Sequence, residues 1–334
     1  MKIILTKPSI PVLWLDTWCI LELAAALDSK DTPRRENAEK ILDKIISLTK
    51  KKKLICPEGD QDIEIGVSNN TKIVEKSREI QAQMSLGVSL NIYAAVEHLQ
   101  IQRMMKAVIE KQSEVEFPWK DIFADDPVRV IDRNDKFIVS VHIPQSQEQI
   151  DEQISVHKSI AQDWETLRQD ARTNKRNYQT TLANEFKGSA EAIAHVMANI
   201  TAKTIHKLPI SDKEYMQSVD IAGTPLAWWE HYSGKQDALA DVLAFYSSTE
   251  YTQIPFVNVG TRLLAELVSG NETVSPGDVM DIHHMSTVLP YVSYVVADKR
   301  VRNRLEGRTQ LLKDYSVKIL KWQEVLPLLE SLDN

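Results

Sequence analysis

The sequence predicts an α/β protein: a parallel sheet with flanking helices, interrupted by a large, mainly helical insertion. Three observations carry that expectation. Short runs of consecutive apolar residues recur near both ends of the chain, as in Val12-Leu13-Trp14-Leu15, Leu54-Ile55-Cys56 and Tyr294-Val295-Val296, and such runs suit strands buried on both faces. Between them, apolar residues fall at three- and four-residue spacing, the signature of amphipathic helices. Glycine is scarce, ten in 334 residues, which disfavours a glycine-rich all-β chain.

The elements follow in order. After Val12-Leu13-Trp14-Leu15, Asp16-Thr17 opens a helical pattern through Ile20, Leu21, Leu23, Ala24 and Leu27. Asp31-Thr32-Pro33 breaks the chain, and Pro33 suits the first turn of a second helix carrying Ala38, Ile41, Leu42, Ile45, Ile46 and Leu48. Lysines 50–53 close that helix, where cations meet the negative end of its dipole. Leu54-Ile55-Cys56 is the next strand, ended by Pro57 and Gly59. From about residue 72 to 208 the pattern is helical, with breaks at Phe117-Pro118 and Asp126-Pro127 and one β-like stretch at residues 137–141. Residues 148–206 lack proline and carry a stripe of Ile150, Ile154, Ile160, Trp164, Leu167 and Ala171, which predicts one long helix or a hairpin around Gly188. The C-terminal part returns to α/β. It has a helix over 255–268, a turn and cap at Ser275-Pro276-Gly277-Asp278, and a helix over 279–289. The strand Tyr294-Val295-Val296 then runs into Asp298, followed by a helix with a basic start, a strand over 316–320 and a closing helix over 322–332.

Composition bounds the function. Forty basic residues against 47 acids give a net charge of −7, which excludes a histone-like binder of nucleic acid. Two cysteines, Cys19 and Cys56, are too few for a disulfide scaffold or a thiolate zinc site, so the reducing cytoplasm is the expected compartment. No apolar run reaches the roughly 18 residues a membrane span needs. The apolar stretch over 10–26 contains Asp16 and Glu22, unlike the core of a secretion signal.

The chemistry lies at strand ends. Leu13-Trp14-Leu15 leads into Asp16, and Tyr294-Val295-Val296-Ala297 leads into Asp298. In a parallel sheet all strand C-termini share one edge, where ligands bind. Carboxylates gathered there repel unless a cation neutralises them, and Mg²⁺ or Mn²⁺ suits oxygen donors. Asp281, one helical turn after Asp278, can reach the same edge, and Glu58, Asp60, Asp62 and Glu64 offer a fourth carboxylate. Lys299, Arg300, Arg302 and Arg304 adjoin Asp298 and are the expected contacts to a phosphate backbone, with Arg262 and Arg308 weaker candidates.

The stretch from Asp278 through Asp281, His284 and Leu289-Pro290-Tyr291 to Asp298-Lys299 resembles the C-terminal half of a PIN-like nuclease domain. Leu13-Trp14-Leu15-Asp16-Thr17 is similar to that family's opening strand and first metal-binding Asp, and residues 316–320 to its last strand. The resemblance covers roughly residues 8–75 and 250–334. It implies a discontinuous PIN-like core (1–75 and 250–334) split by a helical insertion (76–249). It also implies a metal-dependent nuclease, most often acting on RNA, with Asp16, Asp281, Asp298 and an acid on the helix after the second strand as ligands of Mg²⁺ or Mn²⁺. Glu64 is the favoured fourth acid and Asp62 the next, with Glu58 still open. A toxin or defence effector with an inhibitory or activating protein partner fits family habit. DNA remains an alternative substrate, and a catalytically silent protein-binding scaffold an alternative role.

Ordinary explanations stand beside these. Asp16 and Asp298 sit where helix N-caps sit, and Asp278 reads as a cap before a ligand. His283-His284 lacks companions at zinc spacing. The 50–53 lysines and Arg172, Lys175 and Arg176 read as solvated charge, Cys19 as core, and Trp228-Trp229 as packing before base stacking. No P-loop, G-x-G-x-x-G, G-x-S-x-G or H-E-x-x-H motif occurs.

Overall fold

The computed structural model describes residues 1–66, 70–134 and 147–333. Helices predominate, and the strands are β1 (Lys2–Leu5), β2 (Leu13–Leu15), β3 (Glu114–Phe117), β4 (Tyr294–Val296) and β5 (Lys318–Leu320). The mixed α/β class with parallel pairing is what the chain adopts. The β-like stretch expected at 137–141 lies outside the described residues.

Two compact units divide the chain. One comprises residues 1–4, 97–117 and 165–273; the other comprises 5–96, 118–164 and 274–334. Neither coincides with the expected division into 1–75 plus 250–334 and 76–249, because residues 250–273 pack with the first unit and 76–96 with the second.

The second unit holds the parallel sheet, in the order β2-β4-β5, with Leu13 opposite Tyr294 and Leu15 opposite Val296. On the free side of β2, Val12 forms a parallel bridge with Ile55. There the strand expected at 54–56 reduces to this single bridge, held by Leu13 N–H donating to Ile55 O and Ile55 N–H donating to Pro11 O, each 2.9 Å. Pro57 follows at once and has no N–H to continue a ladder. Every β2 residue is buried, as a strand covered on both faces requires. Leu13 and Leu15 join Cys19, Ile20 and Leu23 of the Thr17–Leu27 helix and Ile41, Ile45 and Leu48 of the Thr32–Lys50 helix in one apolar cluster. Pro33 lies in the first turn of the Thr32–Lys50 helix and Lys50 in its last.

This topology sets a switch point between β2 and β4. From β2 the chain runs through those two helices and returns on one side of β2 at Ile55. From β4 it runs through the Lys299–Glu306 and Thr309–Tyr315 helices and returns as β5 on the opposite side. The carboxyl ends of β2 and β4 therefore flank the point where the connections diverge, where open parallel sheets form ligand crevices.

The first unit contains the β1–β3 pair and much of the helical insertion. Neither strand is anticipated by the sequence reading, which assigns no element to residues 2–5 and places 114–117 within the helical pattern over 72–208. The expected turn at Gly188 is corrected. The break falls at residues 174–177, between the Gln147–Thr173 and Tyr178–Ile205 helices, while Gly188 sits inside the latter. Lys175 adopts φ 50° there, and the Asn177 side chain accepts from Thr180 N–H at 3.0 Å to cap the next helix. Among the described residues, no helix is long and apolar enough to cross a membrane.

Candidate active site

Asp16 ends β2 and caps the Thr17–Leu27 helix, its Oδ1 accepting from Thr17 N–H at 2.9 Å. Its Oδ2 faces β4's end, where Asp298 N–H donates at 3.4 Å. Burial pushes this carboxyl up to about 6, the charge of Asp298 adds to the rise, and the two backbone amides oppose it. Asp298 caps the Lys299–Glu306 helix through Oδ1, which accepts from Val301 N–H at 2.8 Å. Both residues are therefore caps, as the ordinary explanation held. Capping occupies one oxygen of Asp298, and a cap does not require the burial of Asp16.

Glu64 lies on the Gln61–Gly66 helix, which Gln61 ties to the sheet by donating from Nε2 to Leu15 O at 2.8 Å. The Thr17 hydroxyl donates to Glu64 Oε2. Burial pushes the Glu64 carboxyl up to about 7, with the Asp16 charge adding and the Thr17 bond opposing. Asp281, on the Pro276–Val288 helix, is held well above the ordinary carboxylate range by burial first, then by the charges of Asp16, Glu64, Asp278 and Asp298.

The crowded acids after residue 56 separate by partner. Glu58 accepts from the Ser85 hydroxyl at 3.4 Å, and Asp60 accepts from Tyr93 N–H at 3.1 Å. Asp62, expected beside Glu64 as a ligand, is instead turned to Arg78 Nε at 2.6 Å. Only Glu64 of the four acts electrostatically on Asp16 or Asp281.

The basic residues are also redistributed. Asp278, its side chain fully buried, accepts from Ser275 N–H and Oγ at 2.7 Å each and pairs with Arg300 at 2.9 Å and Arg304 at 2.8 Å. Arg300 and Arg304, expected to contact a phosphate backbone, are thus directed onto a buried carboxylate. Arg302 lies 3.8 Å from Glu306, and Lys299 is exposed.

Sequence reasoning did not assign Thr17 or Gln61. A hydroxyl directly after a strand-end Asp, and an amide opening the next acidic helix, were the available signals. His284 is buried with neither ring nitrogen hydrogen-bonded among the described residues. Its Nδ1 lies 3.9 Å from Glu64 Oε2, and burial pushes its pKa down to about 3, so the ring is neutral. His283 stacks on Tyr93 at 4.2 Å.

Asp16, Glu64 and Asp281 are hard oxygen donors, and no lysine or arginine is among the groups acting on them. Buried anions without a counter-charge are costly, and this donor chemistry fits a divalent cation. Among the described residues, no three His, Cys, Asp or Glu side chains converge closely enough to hold an ion together. Direct ligation of an ion there would be limited to one or two carboxylates, with water completing its shell. Comparison with known proteins returned no matching family model, no matching curated protein and no matching solved structure.

Proposed function

We propose that the chain is a metal-dependent endoribonuclease acting at the β2–β4 edge. The observation that carries this reading is a set of carboxylates without counter-charges, Asp16, Glu64 and Asp281, gathered with Asp298 where the sheet connections diverge. One or two of Asp16, Asp281 and Glu64 would hold Mg²⁺ or Mn²⁺ directly, with Asp298 adjoining. When bound, a divalent ion supplies an acidified water and positive charge against the phosphoryl oxygens. The protein's own groups do the rest. Thr17 and Gln61 orient Glu64, leaving Oε1 to take a proton from the attacking water near neutral pH. Lys299 and Arg302 meet the flanking phosphates. The choice of RNA over DNA rests on the family resemblance, as does a toxin or defence role under a protein partner.

A second reading, a catalytically silent scaffold, is favoured by the lack of three converging ligands among the described residues and by the commitment of Arg300 and Arg304 to Asp278. Cleavage of labelled single-stranded RNA and matched DNA, with Mn²⁺, Mg²⁺ or EDTA, separates the two. We expect EDTA-sensitive RNA cutting that Asp16→Asn lowers by at least about a hundredfold, or about 2.7 kcal/mol of barrier. Folded, metal-titrated protein that cuts neither polymer supports the scaffold.

A further inference from the structure

The first unit carries a solvent-open cavity of about 250 Å³ whose chemistry the carboxylate edge does not use. It lies among the Tyr93–Ile109 and Tyr178–Ile205 helices and a turn of π-helix at Val219–Gly223. Such π turns are rare and recur at functional sites; here the turn brings Asp220 and Ile221 to the cavity wall.

The lining combines acid with aromatic surface. Glu97 is half-buried at this cavity, and among the described residues nothing donates a hydrogen bond to its carboxyl. The nearest charge acting on it is that of Asp220, another acid, and burial together with that charge pushes Glu97 up to about 7. No lysine or arginine lines the cavity among the described residues. Trp228, Tyr246 and Tyr251 supply ring surface, with the Tyr246 and Tyr251 centroids 4.6 Å apart. The Tyr251 hydroxyl is tied to Ser189 Oγ at 2.9 Å, and His98 sets its edge against Trp228 at 5.4 Å and stands 3.8 Å from Asp220.

A half-buried carboxyl with no protein partner beside a second acid favours the arrival of a positive charge. Acid and π-faces on a common cavity both attract positive charge, and a desolvated cation on an aromatic face binds more strongly than an exposed one. An anion would meet two acids and, of the bases, only His98, which stands against Asp220. A bare metal ion would meet rings and aliphatic carbons where it wants oxygen. We propose that this cavity binds a small organic cation, an ammonium group on a short apolar or aromatic body, with Glu97 and Asp220 as counter-charges and Trp228, Tyr246 and Tyr251 as walls. The helix Tyr93–Ile109 carried a sequence signal for it: Glu97 shares the spacing of Ile101, Met104 and Val108, an acid within an apolar stripe.

The test titrates the full chain with benzylammonium, benzyl alcohol and benzoate, which share a ring and differ in charge. Calorimetry and indole fluorescence report binding. We expect saturable one-to-one binding of benzylammonium with Kd of about 1 mM or tighter, at least about tenfold tighter than benzyl alcohol, and none of benzoate. Glu97→Gln weakens benzylammonium at least about tenfold, and Trp228→Leu removes the fluorescence change. Equal affinity for alcohol and ammonium, unchanged affinity in Glu97→Gln, or no saturable binding of benzylammonium or butylammonium overturns the proposal. Should Glu97→Gln lose its folded circular dichroism, Asp220→Asn decides instead: at least about threefold weakening supports the site, and wild-type affinity overturns it.

Discussion

The Asp281 carboxyl accepts no hydrogen bond among the described residues and is pressed by burial and by four acidic neighbours. Replacing it with Asn keeps its shape and removes its charge. Metal-free protein carrying Asp281→Asn should therefore be more stable than wild type at pH 8, on the order of 1 kcal/mol, while losing nuclease activity. Thermal melts in EDTA beside the cleavage assay check this, and a lower melting temperature would sink the idea that the site is electrostatically unrelieved. Glu97 gives a pH dependence. Its carboxyl rises from 4.5 to about 7 on folding, so the folded state binds more protons between those values. Its contribution is present below about pH 4.5 and is lost as pH rises through 7, by up to about 3 kcal/mol. Asp220, His98, Tyr246 and Tyr251 face the same cavity, and Glu97→Gln should flatten part of the decline in urea denaturation between pH 5 and 8, the raised carboxyls of Asp16, Glu64 and Asp281 keeping the rest. Parallel curves for variant and wild type would refute it. The strand-end acids Asp16 and Asp298 were legible because a buried apolar run ends at each. The choice among Glu58, Asp60, Asp62 and Glu64 was not, since Ser85, the Tyr93 amide, Arg78 and Thr17 make it from distant parts of the sequence.

The helix Pro276–Val288 shows how one element is fastened. Its Ser275–Asp278 cap also serves as the counter-ion of two guanidiniums, and the Arg304 side chain is only 8% exposed. Asp278→Ala would strand both charges, and breaking a buried pair costs about 3–5 kcal/mol. Asp298→Ala removes an ordinary cap worth about 1 kcal/mol. Urea denaturation of the two variants should keep that order, and equal losses would show that Asp278 is only a cap. At this scale the sequence was informative where periodicity or punctuation was strong, as in the Thr32–Lys50, Pro255–Ser269 and Pro276–Val288 helices. It misplaced the break between the two long helices because Lys175 takes a left-handed conformation that no glycine announces. It overextended residues 54–56 because apolar character marks burial as readily as pairing.

Over the whole molecule, a net charge of −7 opposes a polyanion, and two of the four expected phosphate contacts are spent on Asp278. If Lys299 and Arg302 alone serve RNA, the logarithm of affinity should fall with the logarithm of salt at a slope of only about −1.4, and Lys299→Ala should reduce it by about 0.7. Filter binding across salt concentrations measures both, and a slope several-fold steeper would place the RNA on another basic surface. The division into units was the least legible feature, since the chain passes between them after residues 4, 96, 117, 164 and 273, including within two helices. Composition does not change at those points. The pairing of Leu15 with Val296 has a consequence in time. A ribosome adding about 5–20 residues per second needs roughly 15–55 s to travel from one to the other. Throughout that interval Asp16 stands without the strand that brings Asp298 to it, so a nascent chain cannot assemble this edge until residues 294–298 have been made.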